Sequence, residues 1–342
     1  MNAQTRKEAR LRKAIRSVWC VSDGTTGMRQ QSLAVAAMMK WNRCEDFRDI
    51  VITPHPLLRY VPRIGHWWPR MSLTQAGDAS LPRISNADNF PQIIVTCGRR
   101  MAGISMALKA RAKQHGAQLT TIHLQDPRLD PAYFDILIVP YHDPARGDNV
   151  IVTTAALNRL DQSQIVAAAA HLPKSWQAAA KPRVAVLIGG DNRRYRISEK
   201  MAADLASQLR HFVKVNNASL FLVPSRRCPD GVWQRLQSAL KDTNCLVPDK
   251  QQQNPYPGVL GIADAVIVTS DSVNMVSEAA STGKPVMIAY WTAETGRIAK
   301  FHQTMHRAGH SLPLDGTLPE QAFVPLNETE TVRREINARL TR

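Results

Sequence analysis

Short runs of consecutive apolar, largely β-branched residues recur along the chain, each followed by a stretch with helical spacing. This alternation constrains the fold more than any other feature. The runs are SVWCVS (17–22), DIVIT (49–53), QIIVTCG (92–98), QLTTIHLQ (118–125), FDILIVP (134–140) and NVIVTT (149–154). Hydrophobic residues that are continuous rather than alternating suit strands buried on both faces, as in a parallel sheet flanked by helices. After the first run, GTTGMRQQSLAVAAMM places Met28, Gln31, Leu33, Val35, Ala36 and Met39 at helical intervals.

The alternation pauses over HLPKSWQAAAKP (171–182) and then restarts with RVAVLIGG, SLFLVPS, CLVP, DAVIVTSD and PVMIAYW, separated by amphipathic stretches such as MAADLASQLRHF and GVWQRLQSAL. A chain of 342 residues exceeds what one core usually supports. The expectation is an α/β protein of two Rossmann-like domains, 17–175 and 180–325, facing a cleft. A basic arm at 1–16 would precede them and a helix at 326–342 follow. The proline-rich segment from Pro54 to Pro91, with Trp67 and Trp68, has no steady period and reads as an excursion from the first sheet.

Several function classes drop out. No apolar run approaches the ~18 residues of a membrane span, and Arg16, Ser17 and Asp23 interrupt the only candidate for a secretory core. Cys20, Cys44, Cys97, Cys228 and Cys245 lack CxxC spacing, which favours reduced core thiols over disulfides or zinc. The expected location is therefore cytoplasmic. A formal charge of +16 calls for an anionic partner. Aromatics make up 6% of the chain and no RNA-binding signature appears, so nucleic acid is not expected. The opening MNAQTRKEARLRKAIR sets six basic residues against Glu8, and can lie on anionic lipid at the inner membrane face or remain a solvated arm.

Four loops at strand ends combine glycine with polar or basic residues: SDGTTGMRQ (22–30), CGRRMAG (97–103), IGGDNRRYR (188–196) and PSRRCPDG (224–231). Glycine there lets the backbone turn tightly and aim amides at an anion, and neighbouring arginines grip phosphate oxygens bidentately. A glycine pair by itself is more often only a turn. Walker, GxGxxG, GxSxG and HExxH patterns are absent, which disfavours P-loop hydrolysis, nicotinamide chemistry, nucleophile-elbow chemistry and a zincin site. No DxD-type carboxylate cluster is apparent, so neither metal nor organic cofactor is expected.

DSVNMVSEAASTGKPV (271–286) links two buried runs. With Ser272 as helix cap, free amides and the positive end of the dipole would face a ligand, while Glu278 could accept hydrogen bonds from a diol such as a ribose. The plain alternative makes Ser272 an ordinary cap and Glu278 a solvated acid near the helix start.

The stretches DSVNMVSEAASTGKPV, SRRCP, NPYPGVLGIAD (254–264), QDPR (125–128), VPYHD (139–143) and SDGTTGMRQQSL resemble the plant "elongated mitochondria" fission-protein family and its bacterial relatives, over about residues 17–325. The order of glycine loops followed by Ser-x5-Glu-Ala is also similar to the peptidoglycan GlcNAc transferase. These resemblances imply a GT-B glycosyltransferase-like fold and a nucleoside-diphosphate sugar as substrate, taken from the second domain. They imply donor-binding roles for Gly189, Gly190, Ser272 and Glu278.

Asn192, Ser225 and Asn274 lie in the same loops, and Arg226 and Arg227 are added because a guanidinium at a strand end suits a diphosphate. On the acceptor side the equivalent loops offer Gly24, Gly27, Gln31 and Arg99. Bacterial members often carry histidine where this chain has Met28, and a thioether cannot act as a base. That leaves Asp23, His142 and Asp143 as candidate catalytic groups for an anionic or lipid-linked acceptor. The competing expectation is a non-catalytic adaptor with a vestigial nucleotide pocket, because the plant relatives are associated with recruiting a dynamin-like GTPase.

Overall fold

The computed structural model describes residues 15–69, 81–82, 84–158, 160, 162–192, 194–248, 255–321 and 323–341. Residues 1–14 of the basic arm, 70–80 and 83 of the proline-rich excursion, Arg193 of the second glycine loop and Asn254 of NPYPG lie outside them. The chain divides into two compact units, residues 1–159 with 328–342, and 160–327. Each is an all-parallel sheet of six strands.

In the first unit the strands are β1 (Ser17–Ser22), β2 (Asp46–Val51), β3 (Ile93–Cys97), β4 (Thr120–Leu124), β5 (Ile136–Pro140) and β6 (Val150–Thr153), in the order β2-β1-β3-β4-β5-β6. Successive side chains point to opposite faces. Val18, Cys20, Val95, Cys97 and Ile122 pack with Leu33 and Val35 of the helix Thr26–Met38, whereas Trp19, Val21 and Ile94 pack with Met101, Ile104 and Leu108 of the helix Arg99–Gln114. Both faces are covered, so the runs had to be continuously apolar. The edge strand β2 is the exception. DFRDIV exposes Arg48, Asp49 and Val51, and it begins three residues before the expected run at 49.

In the second unit β7 (Arg183–Ile188), β8 (Ser219–Pro224), β9 (Cys245–Leu246), β10 (Ala265–Thr269), β11 (Val286–Ala289) and β12 (Leu312–Pro313) take the order β12-β11-β10-β7-β8-β9. Val184, Val186 and Ile188 pack with Leu205, Leu209 and Phe212 of the helix Glu199–Asn216 and with Val232 and Leu236 of the helix Asp230–Leu240. Truncating such a buried leucine to alanine costs about 2–5 kcal/mol.

The second unit begins earlier than the sequence expectation and ends within two residues of it. The helix Gln162–Ala170 belongs to the second unit, because the helix Tyr256–Ile262 presents Gly258 and Gly261 to it: a Cβ on either would lie 2.7 Å from Ala168 O or 2.9 Å from Ile165 O. The boundary therefore falls near residue 160, ahead of the expected 175–180. The terminal helix Glu328–Leu340 returns to the first unit, where Val332 and Ile336 are fully buried, Thr154 N–H donates to Glu328 Oε1 (2.6 Å) and Arg339 donates to Val150 O (3.3 Å).

Candidate functional site

Both sheets are doubly wound. In the second, the chain leaves β7 toward β8 and β9, then crosses back to β10 on the other side, so the topological switch point lies between β7 and β10. Ligands of open α/β sheets bind at the carboxyl ends of strands at such a point.

What fills this switch point is the side chain of Asp271, which is fully buried. Its Oδ1 accepts from Thr269 Oγ1 (2.7 Å) and Trp291 Nε1 (2.9 Å), and its Oδ2 accepts from the Gly190 amide (3.0 Å) with an Arg227 nitrogen at 3.7 Å. A carboxylate at such a depth is tolerated only when paired and fully hydrogen-bonded, and here four strand ends supply the partners. Both glycines are sterically required: a Cβ on Gly189 would sit 2.0 Å from Asp271 Oδ2, and one on Gly190 2.0 Å from Arg227 O.

The same wiring corrects one sequence expectation. The amides of Gly189 and Gly190 are not aimed at an external anion, because Gly189 N–H donates to Thr269 Oγ1 (2.8 Å) and Gly190 N–H to Asp271. The loops expected to converge do so. Asp191 N–H donates to Arg227 O (3.0 Å), Ser225 N–H to Ile188 O (2.7 Å), and Arg227 N–H to Ser225 Oγ (3.3 Å). Asn192 reaches Asp271 O (3.5 Å) and turns the loop by accepting from the Arg194 and Tyr195 amides at 2.8 and 3.0 Å. Arg226 and Arg227 remain exposed.

Ser272 is the N-cap of the helix Val273–Ser281, its hydroxyl accepting from Met275 N–H at 3.4 Å. Asn274 lies half-buried in the first turn. Glu278 sits in the second turn, where it is half-buried and held by the Tyr256 hydroxyl, which donates to Oε2 at 2.5 Å. This overturns the alternative of a solvated acid. It also joins two motifs separate in the sequence, since Tyr256 opens the helix that follows NPY. Burial raises the Glu278 carboxyl above its ordinary range while the Tyr256 bond pulls it back, and the Tyr256 phenol is held far above its ordinary value by burial and the facing carboxylate.

Further residues to which the sequence reading gave no role lie around these strand ends, His302 among them from the helix Gly296–Arg307. Glu294, after β11, accepts from the Tyr195 hydroxyl and keeps a buried Oε1 without a partner. His302 directs Nε2 at Ser270 O (2.9 Å); a carbonyl only accepts, so this nitrogen carries the proton. Burial lowers its pKa and keeps it neutral near pH 7. Trp291 and Asp271 could have been suspected from their positions at strand ends, but nothing in their local sequence shows that they pair.

The first unit is built to the same plan, with the switch point between β1 and β3. There Asp23 Oδ1 accepts from the Thr25 amide (3.0 Å) at the start of the helix Thr26–Met38, and Oδ2 pairs with Arg100 at 3.3 Å. Met28 lies against Gly98, whose φ is +86° and whose added Cβ would meet Met28 Sδ at 2.5 Å. Gly24, at φ +77°, makes the turn out of β1; Gly27 lies in the following helix. Gln31 is buried and accepts from the Cys97 thiol (3.9 Å), and Arg99 donates to Tyr60 O (3.3 Å).

The three candidate catalytic groups sit at two strand ends, Asp23 after β1 and His142 with Asp143 after β5. Asp23 is committed to Arg100 and the helix start, and buried Asp143 accepts from the Asp126 amide (3.2 Å) at the end of β5. β3 and β4 lie between their strands, so at about 4.8 Å per strand β1 and β5 are about 14 Å apart. His142 is half-buried and adjoins Asp143 in the chain, after β5.

Two tandem doubly wound parallel sheets, each with its polar loops at a central switch point, define a protein of the GT-B type. The chain belongs to the mitochondrial fission ELM1 family, whose model matches residues 26–340. It is 28% identical to the mitochondrial fission protein ELM1 of Arabidopsis thaliana, over 77% of this chain and 68% of that one. An uncharacterized protein of Rickettsia prowazekii (strain Madrid E) is also 28% identical, over 80% and 83%. Among solved structures, a UDP-N-acetylglucosamine 2-epimerase superposes with a TM-score of 0.55 at 14% identity, covering 94% of each chain. The S. aureus MnaA–UDP co-structure superposes with a TM-score of 0.50 at 10% identity, covering 96% of this chain and 87% of that one. At such identities the likeness is one of fold. Among the described residues no helix is long and apolar enough to cross a membrane.

Proposed function

We propose that the second unit binds a nucleoside diphosphate sugar at the carboxyl ends of β7, β8 and β10, and that the protein is a glycosyltransferase-like enzyme using it as donor. The observation that carries this reading is the Asp271 clamp, which holds the glycine loop, Arg227 and the capped start of the helix Val273–Ser281 together. Because the Gly189 and Gly190 amides are spent internally, the diphosphate would be met by Arg226, Arg227 and the first-turn amides after Ser272. Glu278, kept in place by Tyr256, would accept from the ribose hydroxyls. The same-fold MnaA–UDP co-structure supports UDP as the first ligand to try. An anionic or lipid-linked acceptor would suit the net charge of +16.

Isothermal titration with a panel of nucleoside diphosphates tests the pocket. Saturable binding is expected for at least one, weakened several-fold by Glu278→Ala and more by Arg227→Ala. Absence of binding across the panel would overturn the reading. One observation favours a second version, a non-catalytic interaction protein: Met28 packs against Gly98 where a base would be wanted. Nucleotide binding without release or transfer of sugar from any bound nucleotide sugar would select it.

A further inference from the structure

The proline-rich excursion of the first unit has an inverted surface. From Pro56–Arg59 through Ile64–Trp67 the chain runs in near-continuous helical turns, with Val61 N–H donating to Leu57 O (2.8 Å), Gly65 to Pro62 O (3.0 Å) and Trp68 to Ile64 O (2.8 Å). One face, Leu58, Pro62, Gly65 and Pro69, is buried at spacings of four, three and four. That face is seated closely on the helix Arg99–Gln114: a Cβ on Gly65 would lie 1.9 Å from Gly103 O, and one on Gly103 2.7 Å from Leu58 Cδ2. The segment is therefore a fixed element with one way to face.

Its other face is apolar and aromatic. Leu57 is 48% exposed, Tyr60 66%, Val61 42%, Trp67 55% and Trp68 58%, so five of the twelve exposed large hydrophobic side chains among the described residues fall in one run of twelve positions. Trp19, Trp41, Trp176 and Trp291 are buried by contrast. Trp67 and Trp68 form an edge-to-face pair with centroids 6.2 Å apart. Arg63 is an exposed cation within the run, and the side chain of nearby His66 is also exposed. From residue 50 to residue 77 the sequence holds no Asp or Glu, although it carries Arg59, Arg63 and Arg70.

Paired tryptophans, a tyrosine and aliphatic side chains with arginine are the chemistry of a bilayer interface, where indole rings sit at headgroup level and guanidinium groups meet lipid phosphates. A protein partner would tolerate carboxylates at the rim of its contact; an anionic membrane repels every one, and here a 28-residue stretch has none. We infer that residues 57–68 are a membrane-docking face, selective for anionic bilayers, that lays the first unit on the lipid surface without spanning it. This is independent of the nucleotide pocket and of the basic arm.

Vesicle flotation of the full chain tests it, using phosphatidylcholine vesicles alone and phosphatidylcholine mixed with phosphatidylglycerol. The parent is expected to float with the mixed vesicles and not with the neutral ones. Trp67→Ser with Trp68→Ser should weaken that binding at least about tenfold, and Arg63→Glu about fivefold or more, on a scale of about 1 kcal/mol per basic residue near the surface. The parent-minus-variant fluorescence spectrum should shift to the blue on adding mixed vesicles. If the tryptophan pair fails to fold, Leu57→Ser with Tyr60→Ser gives the same reading from the same face. Failure of the parent to bind mixed vesicles overturns the inference and leaves a protein partner as the occupant. Equal binding by parent and tryptophan variant, or equal binding to neutral vesicles, also overturns it.

Discussion

The two switch points occupy the same place in their sheets and are filled in opposite ways. Between β1 and β3, the thioether of Met28 lies on Gly98 and the buried Asp23 side chain pairs with Arg100, whose side chain is 40% exposed, so apolar bulk and one half-buried ion pair close the crevice. Between β7 and β10, a fully buried carboxylate is held by three hydrogen-bond donors and an arginine. Closing a crevice with a methionine requires little of its neighbours, whereas burying Asp271 requires four strand ends in register. The second unit therefore maintains a polar organisation that packing alone would not need, and such an arrangement is the kind associated with function.

The comparison is most directly broken at the two aspartates. Asp271→Ala leaves the Gly190 amide, the Trp291 indole and the Thr269 hydroxyl without their acceptor and removes the ion pair of Arg227, and should destabilise the second unit by about 3–5 kcal/mol. Asp23→Ala removes one half-buried ion pair and one helix-start hydrogen bond but leaves Arg100 with access to water, and should cost about 1–2 kcal/mol. Denaturant unfolding of the two variants measures both. Equal losses would mean that the switch points are energetically alike.

The glycines sharpen the contrast at a smaller scale. Alanine at Gly190 meets the backbone oxygen of Arg227 at 2.0 Å, which cannot move without parting two loops, and should cost about 3 kcal/mol. Alanine at Gly98 meets only the tip of Met28 at 2.5 Å, so the remaining cost is the positive-φ, extended-ψ backbone that glycine alone adopts readily, about 1–3 kcal/mol. Combining Gly98→Ala with Met28→Ala should recover no more than the steric part. Full recovery would show that the φ of Gly98 is not a constraint.

How much of this was legible follows from sequence distance. Strands buried on both faces announce themselves as continuous apolar runs, and ten of the twelve lie within runs legible in the sequence; β2 begins three residues before its run, because an edge strand exposes Arg48 and Asp49. The two-residue edge strand β12 was too short to show a period. Ser272 was readable as a cap because its partner is three residues away. Asp271 was not, because its donors Trp291 and Gly190 lie 20 and 81 residues off and only the sheet order brings them together. The boundary near 160 depends on Gly258 and Gly261 receiving a helix from residues 162–170, a packing contact that no local pattern encodes.

The last contrast concerns Glu278 and Tyr256 of the second unit, whose effect depends on pH. Glu278 is raised in the folded chain, chiefly by burial, so its folded pKa lies above its unfolded one. The folded state then binds the proton more tightly, and the stability linked to this group is complete below about pH 4.3 and lost as pH rises through the folded value. Tyr256 limits that loss by donating to the carboxylate. Tyr256→Phe should therefore leave stability near pH 4 almost unchanged and lower it at pH 7 by about 1–2 kcal/mol, the range for a hydrogen bond to a charged group. Glu278→Gln cannot ionise and should flatten the same stretch of the profile. No corresponding pair occurs at the first switch point among the described residues, so substituting Met28 should leave the pH profile unaltered. If Tyr256→Phe destabilises equally at pH 4 and pH 7, the hydroxyl serves packing rather than the charge, and the polar character assigned to the second switch point rests on Asp271 alone.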